Sequence, residues 1–312
     1  MRLALTHNLR LTDSEDEAEF DTRETIDALV TALERLGHRV ERVEVSGPAS
    51  RTAARLEAFS PDLIFNIAEG RRGRFREAFY PALFDELGFP YTGSDAWGLA
   101  VTLDKALTKL MLGEHGVISP RGQFVEEISQ LKVDRFRYPV MVKPNFEGSS
   151  KGITQDSVIE EKSKLRAYVE KQLAKFPSGL LIEEYISDKD LTVAFLEKAS
   201  PERGGVLTPV EYVFDEAEMS KRRYRIYDYD LKSVNYNAVS VRCSQRLWPS
   251  EQAIFVLEVR GIHSRVERVE GVDSDVSPNF GNAKEAAALV NQGLFGLSSN
   301  EYDQVARARC RY

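Results

Sequence analysis

Cysteine is almost absent from the 312 residues. Only Cys243 and Cys310 occur, far apart and without a CxxC or Cys/His grouping. Neither a disulfide framework nor a thiolate zinc site can organise such a chain. No run of about 18 apolar residues is present to cross a bilayer. The opening residues turn acidic at once instead of building a secretory leader, so a cytoplasmic protein without membrane contact is expected. A basic surplus is missing as well: 42 Lys and Arg stand against 49 Asp and Glu, for a net charge of -7. That is a poor complement to nucleic-acid phosphates. GxxxxGK(S/T) does not occur, and no GxGxxG opens a helix after the first strand, which removes the Walker-type and dinucleotide readings, an NAD-type dehydrogenase among them.

What is there reads as a soluble globular composition, 42% hydrophobic and 29% charged, long enough for two or three packed subdomains with their own cores. The first third alternates short β-like runs with amphipathic stretches, the pattern of an open parallel sheet flanked by helices. RLALTHN, VERVEV and DLIFNIAEG are its strands. TRETIDALVTALERLG carries Ile26, Leu29, Val30, Leu33 and Leu36 at helical spacing, with Gly37 placed to end the helix. A helix around PALFDELG leads to the turn PYTGSD, and one helix is expected from Trp97 to His115. YPVMVKP is a strand, a charged helix follows from about Ser157 to Lys175, and SGLLIEEYIS, DLTVAFLE and GGVLTPVEYVF are further strands. Neither repeats nor low-complexity linkers interrupt them.

The segment VKPNFEGSSKGI, Val142 to Ile153, places small residues after a strand that ends in Lys143. Such residues let backbone N–H groups approach phosphate oxygens. With PYTGSD, TLDKALTK and LIEEYISDKDLTVAFLE it stands in the order and approximate spacing found in the D-alanine–D-alanine ligases, and the chain resembles that family of ATP-grasp enzymes over about Arg2 to Lys232. The resemblance implies an α/β fold in which an N-terminal open parallel sheet precedes ATP-grasp α+β subdomains. It divides the chain into a substrate-binding domain (1–98), a central subdomain with the phosphate loop (99–178) and a C-terminal subdomain (179–312).

It also implies roles. Lys105 and Lys143 would hold ATP phosphates, Ser149 and Ser150 would be the loop serines, and Ser150 would also orient substrate. Glu183, Glu184, Ile186 and Asp190 would form the adenine and ribose wall, with Asp190 where the family usually has glutamate. RIYDYDLK would be a mobile segment bringing Lys232 as a third phosphate contact. AEFD would set Glu19 against a substrate ammonium, although Asp21 or Thr22 there also suits a helix N-cap. Glu69 stands where the ligases carry a histidine-glycine loop, a departure that points to a different substrate. The basic runs KRRYR (Lys221 to Arg225) and GRRGRFR (Gly70 to Arg76) suit either a polyanionic small molecule or solvent.

The family holds two Mg²⁺ ions, and hard carboxylate oxygens suit them. GIHSRVERVEG resembles the first part of that site, with Arg265 at the oxyanion-steadying arginine and Glu267 as a metal ligand. The second part is altered: the expected strand after Gly271 is missing, and Asp273 and Asp275 are its substitutes. In a rival alignment FVLEVR supplies Glu258, but then Arg260 would repel the metal. The helical spacing of Ile254, Leu257 and Ile262 favours a helix before RVE instead. Together these features lead us to expect ligation of a small-molecule carboxylate to an amine through an acyl phosphate, in a candidate homodimer. The alternative is an ATP-binding protein of the same fold with lost or altered ligase activity.

Overall fold

The computed structural model describes residues 1–114, 117, 119–187, 190–192 and 210–243. They fall into two compact units, Met1–Ala100 and a second that begins at Val101.

In the first unit, strand β1 (Arg2–His7) lies between β2 (Arg39–Glu44) and β3 (Leu63–Asn66), all parallel. Helix α1 (Arg23–Arg35) follows β1, α2 (Ala49–Phe59) links β2 to β3, and α3 (Arg76–Glu86) follows β3. Side chains of a strand alternate between faces, and β1 serves two cores that way. Ala4 joins Val43, Leu56, Ile64, Tyr80 and Phe84, whereas Leu5 joins Ile26 and Val30 of α1. A central strand covered on both faces reads as a continuous buried run, and Leu3 to His7 are all buried. The parallel sheet with flanking helices expected from the alternating pattern is therefore present. Thr22, not Asp21, caps α1, its hydroxyl accepting from the Thr25 N–H at 3.3 Å. Gly37 ends the turn at φ +84°. Leu36 is exposed, because it falls at the C-cap and no longer follows the helical face.

The single helix expected between Trp97 and His115, a span that crosses the boundary between the units, is two helices in the structure. Helix α4 (Ala96–Leu103) stops, and α5 (Lys105–Glu114) starts after Asp104, whose Oδ1 accepts from the Leu107 N–H at 3.0 Å as a cap does. Strands β4 (Gly122–Val125), β5 (Val140–Pro144), β6 (Val158–Ile159) and β7 (Leu180–Glu184) form an antiparallel sheet in the order β4-β7-β5-β6. Helix α6 (Lys162–Lys175) packs on it. The expected start near Ser157 is a 3-10 turn that runs into β6. Period two splits this sheet by chemistry. Val140, Val142, Leu180 and Ile182 enter a core with Leu165 and Val169 of α6, so the intervening Lys143 and Glu183 belong to the other face. A second antiparallel sheet joins β8 (Asp190–Thr192), β9 (Val210–Phe214) and β10 (Val239–Cys243) in the order β10-β9-β8. Helices α7 (Glu216–Met219) and α8 (Tyr229–Ser233) lie between β9 and β10 in sequence.

Candidate functional site

The loop after β5 is tied to the start of α5 through Asn145, which is fully buried. Its Oδ1 accepts from the Ala106 N–H at 3.0 Å, its Nδ2 donates to Asp104 at 2.7 Å, and its backbone N–H donates to the Gly179 carbonyl at 3.1 Å. Lys105 then reaches over the loop: its Nζ donates to the Glu147 carbonyl at 2.5 Å and the Asn145 carbonyl at 3.3 Å. Ser149 and Ser150 both adopt left-handed backbone, at φ +46° and +56°. Non-glycine residues pay about 1–2 kcal/mol each for that conformation, and such strain persists where neighbours over-determine it. Here the neighbours are the turn bonds Lys151 N–H to Gly148 O and Ile153 N–H to Ser150 O, and the Ser150 hydroxyl donating to the Tyr227 carbonyl at 2.8 Å. Gly152 has no room for a Cβ, which would lie 2.6 Å from the Phe176 ring.

Beside this loop, Lys143 of β5 ion-pairs with Oε1 of Glu183 at 2.5 Å, and Lys109 of α5 takes Oε2. Met141 is the register partner of Glu183, so Lys143 is its diagonal neighbour on the same face, within reach of a long side chain. Burial pushes the Glu183 carboxyl upward, but the two ammonium groups outweigh it and hold the group below the ordinary carboxylate range.

Lys232 is buried on α8, with its ammonium 5.6 Å from the centre of the Tyr227 ring. The segment carrying it is latched to the loop. Tyr229 N–H donates to the Ile153 carbonyl at 3.2 Å, and Gln155 donates to Asp228 at 3.0 Å while accepting from the Tyr224 N–H at 2.8 Å. Asp228 caps α8 and takes both its oxygens to Arg222 at 3.1 Å. Of the basic side chains in the run KRRYR only Arg222 is drawn inside, where it also pairs with Glu218 and Asp230; Lys221 on Glu218 and Arg223 on Glu160 make their pairs at the exposed surface.

Glu184 follows Glu183 on β7, its N–H donating to the Arg121 carbonyl at 3.0 Å. Ile186 beyond it is exposed. Asp190 opens β8, where burial raises its carboxyl to about 6 against the opposing pull of Arg225. Tyr185 joins the two regions, its hydroxyl donating to the Arg225 carbonyl at 3.0 Å. The structure therefore ties Lys105 of α5 to the loop that carries Ser149 and Ser150, sets Lys143 against Glu183, and attaches the Lys232 segment to the loop. Sequence reading missed Lys109 and Asn145. Lys109 had a signal, since it lies one helical turn after Lys105 on the same face.

Glu19 and Glu69 belong to the first unit. Arg76 binds both oxygens of Glu19 at 2.7 and 3.0 Å, with side chains 7% and 5% exposed, and stands 3.9 Å from Glu77. Asn8 accepts from the N–H groups of Glu69 and Gly70 at 3.0 Å each. A Cβ on Gly70 would sit 2.2 Å from the Arg76 carbonyl, so the turn admits only glycine. Burial first, then the charges of Glu77 and Glu19, push the Glu69 carboxyl well above its ordinary value.

Arg265, Glu267, Asp273, Asp275 and the rival Glu258 lie outside the described residues. Among the described residues no group of three or more His, Cys, Asp or Glu is gathered to hold a metal ion, and no helix is long and apolar enough to cross a membrane.

Known proteins are similar to this chain in sequence and fold. A family model described as the D-ala D-ala ligase C-terminus matches residues 114–258. A D-alanine–D-alanine ligase of Haemophilus influenzae is 30% identical over 256 residues, which are 80% of this chain and 77% of the relative. An uncharacterized protein, y4sG, of Sinorhizobium fredii is 31% identical over 205 residues, 62% of this chain. The chain spans only 56% of that relative's length. Among solved structures, D-alanyl-alanine synthetase A of Vibrio cholerae superposes with a TM-score of 0.62 at 14% identity, over 85% of this chain and 80% of that one.

Proposed function

Because the chain belongs to the D-alanine–D-alanine ligase family of ATP-grasp proteins, we propose that it is an ATP-dependent ligase joining a small-molecule carboxylate to an amine. The observation that carries the reading is the strained Ser149–Ser150 loop, with Lys105 bonded across it and Lys143 on the strand that feeds it. Ammonium groups are compact point charges suited to phosphate oxygens, and a fixed loop with latched walls holds a reactive phosphoryl group away from water.

A substrate carboxylate oxygen attacks the γ-phosphorus of ATP, giving an acyl phosphate and ADP. The amine attacks the acyl carbon, phosphate leaves, the nitrogen loses its proton and an amide forms. No protein nucleophile is needed, so catalysis rests on positioning and on cations facing the transferring group. Lys105, Lys143 and Lys232 serve the phosphates, Ser150 orients the substrate, and Arg265 faces the oxyanion. Glu183, Glu184, Ile186 and Asp190 line the base and ribose.

The described residues supply no carboxylate cluster for Mg²⁺. Glu267 with Asp273 and Asp275 are the residues we assign to it, and the ion would neutralise charge between the β- and γ-phosphates. We also propose residues 1–98 as the substrate-binding domain, with 99–178 and 179–312 as the two ATP-grasp subdomains, a cytoplasmic setting and a homodimer. In the first unit, Arg76 on Glu19 and the extra acids Glu69 and Glu77 support a substrate other than a simple amino acid bound by Glu19 alone.

The test is ADP release by the full chain with ATP and Mg²⁺ over a panel of amino acids and dipeptides. Release that depends on both a carboxylate and an amine is the expected result. ATP binding without release for any pair would instead select a nucleotide-binding protein without ligase activity.

A further inference from the structure

The ion cluster on Glu183 contains one more cation than charge balance requires. Glu183 is 9% exposed at its side chain, Lys143 16% and Lys109 18%. Oε1 is taken by Lys143 from β5 and Oε2 by Lys109 from α5. On the remaining neighbour, β4, the register partner is Gly122, where even a Cβ would lie 3.1 Å from that of Glu183. The carboxylate is thus enclosed by two ammonium groups and a bare backbone.

We infer that Lys109 is a positioning residue of the nucleotide site, the second counter-ion of Glu183 that lets Lys143 turn from this carboxylate to nucleotide phosphate. The inference rests on the proposed nucleotide reading, in which Lys143 must meet phosphate. Withdrawing the sole partner of a buried carboxylate leaves an uncompensated charge, a large penalty in a low-dielectric site. With Lys109 held on Oε2, Lys143 departs and Glu183 stays paired. The placement of Lys109 fits this task, because α5 also carries Lys105, whose ammonium is bonded to the loop carbonyls. One helix thereby fixes the loop at its first residue and the Glu183 charge one turn later.

The test measures dissociation constants for ATP and, by competition, adenosine with the full chain, alongside urea melts that report folding. Wild type, K109M, K109R, E183Q and K109M/E183Q are compared. Wild type without ATP affinity would remove the nucleotide reading itself, and this inference with it. Given wild-type binding, K109M is expected to weaken ATP about tenfold and adenosine far less, and K109R to restore most of the loss. In the E183Q background, whatever E183Q itself costs at the base, adding K109M is expected to change ATP affinity little, because a neutral amide no longer detains Lys143. Unchanged ATP affinity in K109M would overturn the inference. So would an equal loss for adenosine, or a loss of the same size when K109M is added to E183Q. If K109M fails to fold, K109M/E183Q against E183Q decides: ATP binding about tenfold weaker in the double variant contradicts it.

Discussion

Charge placement on single side chains separates the two units. In the first, Glu69 sits with Glu77 and Glu19, and burial with those like charges pushes its carboxyl well above its ordinary value of 4.5. The folded state therefore keeps a proton that the unfolded chain has already lost, and stability falls as pH rises from about 4.5 through the raised value. Glu69→Gln removes that penalty. Urea denaturation should show the variant more stable than wild type at pH 8, with a smaller gain at pH 5; a gain equal at both pH values would contradict the assigned cause. Glu183 is the opposite case, a carboxyl held low by Lys143 and Lys109. At this scale the sequence disclosed residue types but not partners. The engagement of Glu19 by Arg76 joins positions 57 residues apart, and no local spacing announces it. Nor do serines signal left-handed backbone, which Asn or Gly would have suggested at 149 and 150.

Among the elements, the strands were the most legible, because their faces are read directly from alternation. Val140 and Val142 enter the core while Lys143 does not, as the string VMVK implies. The break between α4 and α5 was not legible. WGLAVTLDKALTKLM keeps helical composition throughout, and the capping Asp104 is braced by Asn145, 41 residues away, which donates to it at 2.7 Å. Asn145 is accordingly the residue on which α5 and the loop depend together. Asn145→Ala should lower unfolding stability by about 2–3 kcal/mol, since it leaves buried polar groups without partners. It should also weaken ATP binding through the displaced Lys105. Calorimetry beside denaturation checks both, and a variant of unaltered nucleotide affinity would separate the loop from α5. The helix expected to start near Ser157 begins at Lys162 instead, because Thr154 and Ser157 close a capping box around a 3-10 turn.

Over the whole molecule, the expected α/β class holds: a parallel sheet flanked by helices comes first, antiparallel sheets with helices follow, and the structural relatives are ATP-grasp ligases. This level was readable because segment order survives where individual residues do not. TLDK, VKP and LIEEY keep their sequence order, while the candidate metal segment after Arg265 lies outside the described residues. If the loop from Lys143 to Gly152 cradles the phosphates of ATP, as we propose, isothermal calorimetry will show ATP binding by the full wild-type chain and a loss of at least about tenfold, roughly 1.4 kcal/mol, in a Lys143→Ala variant that still folds cooperatively. A folded Lys143→Ala protein that binds ATP as tightly as wild type would rule that role out.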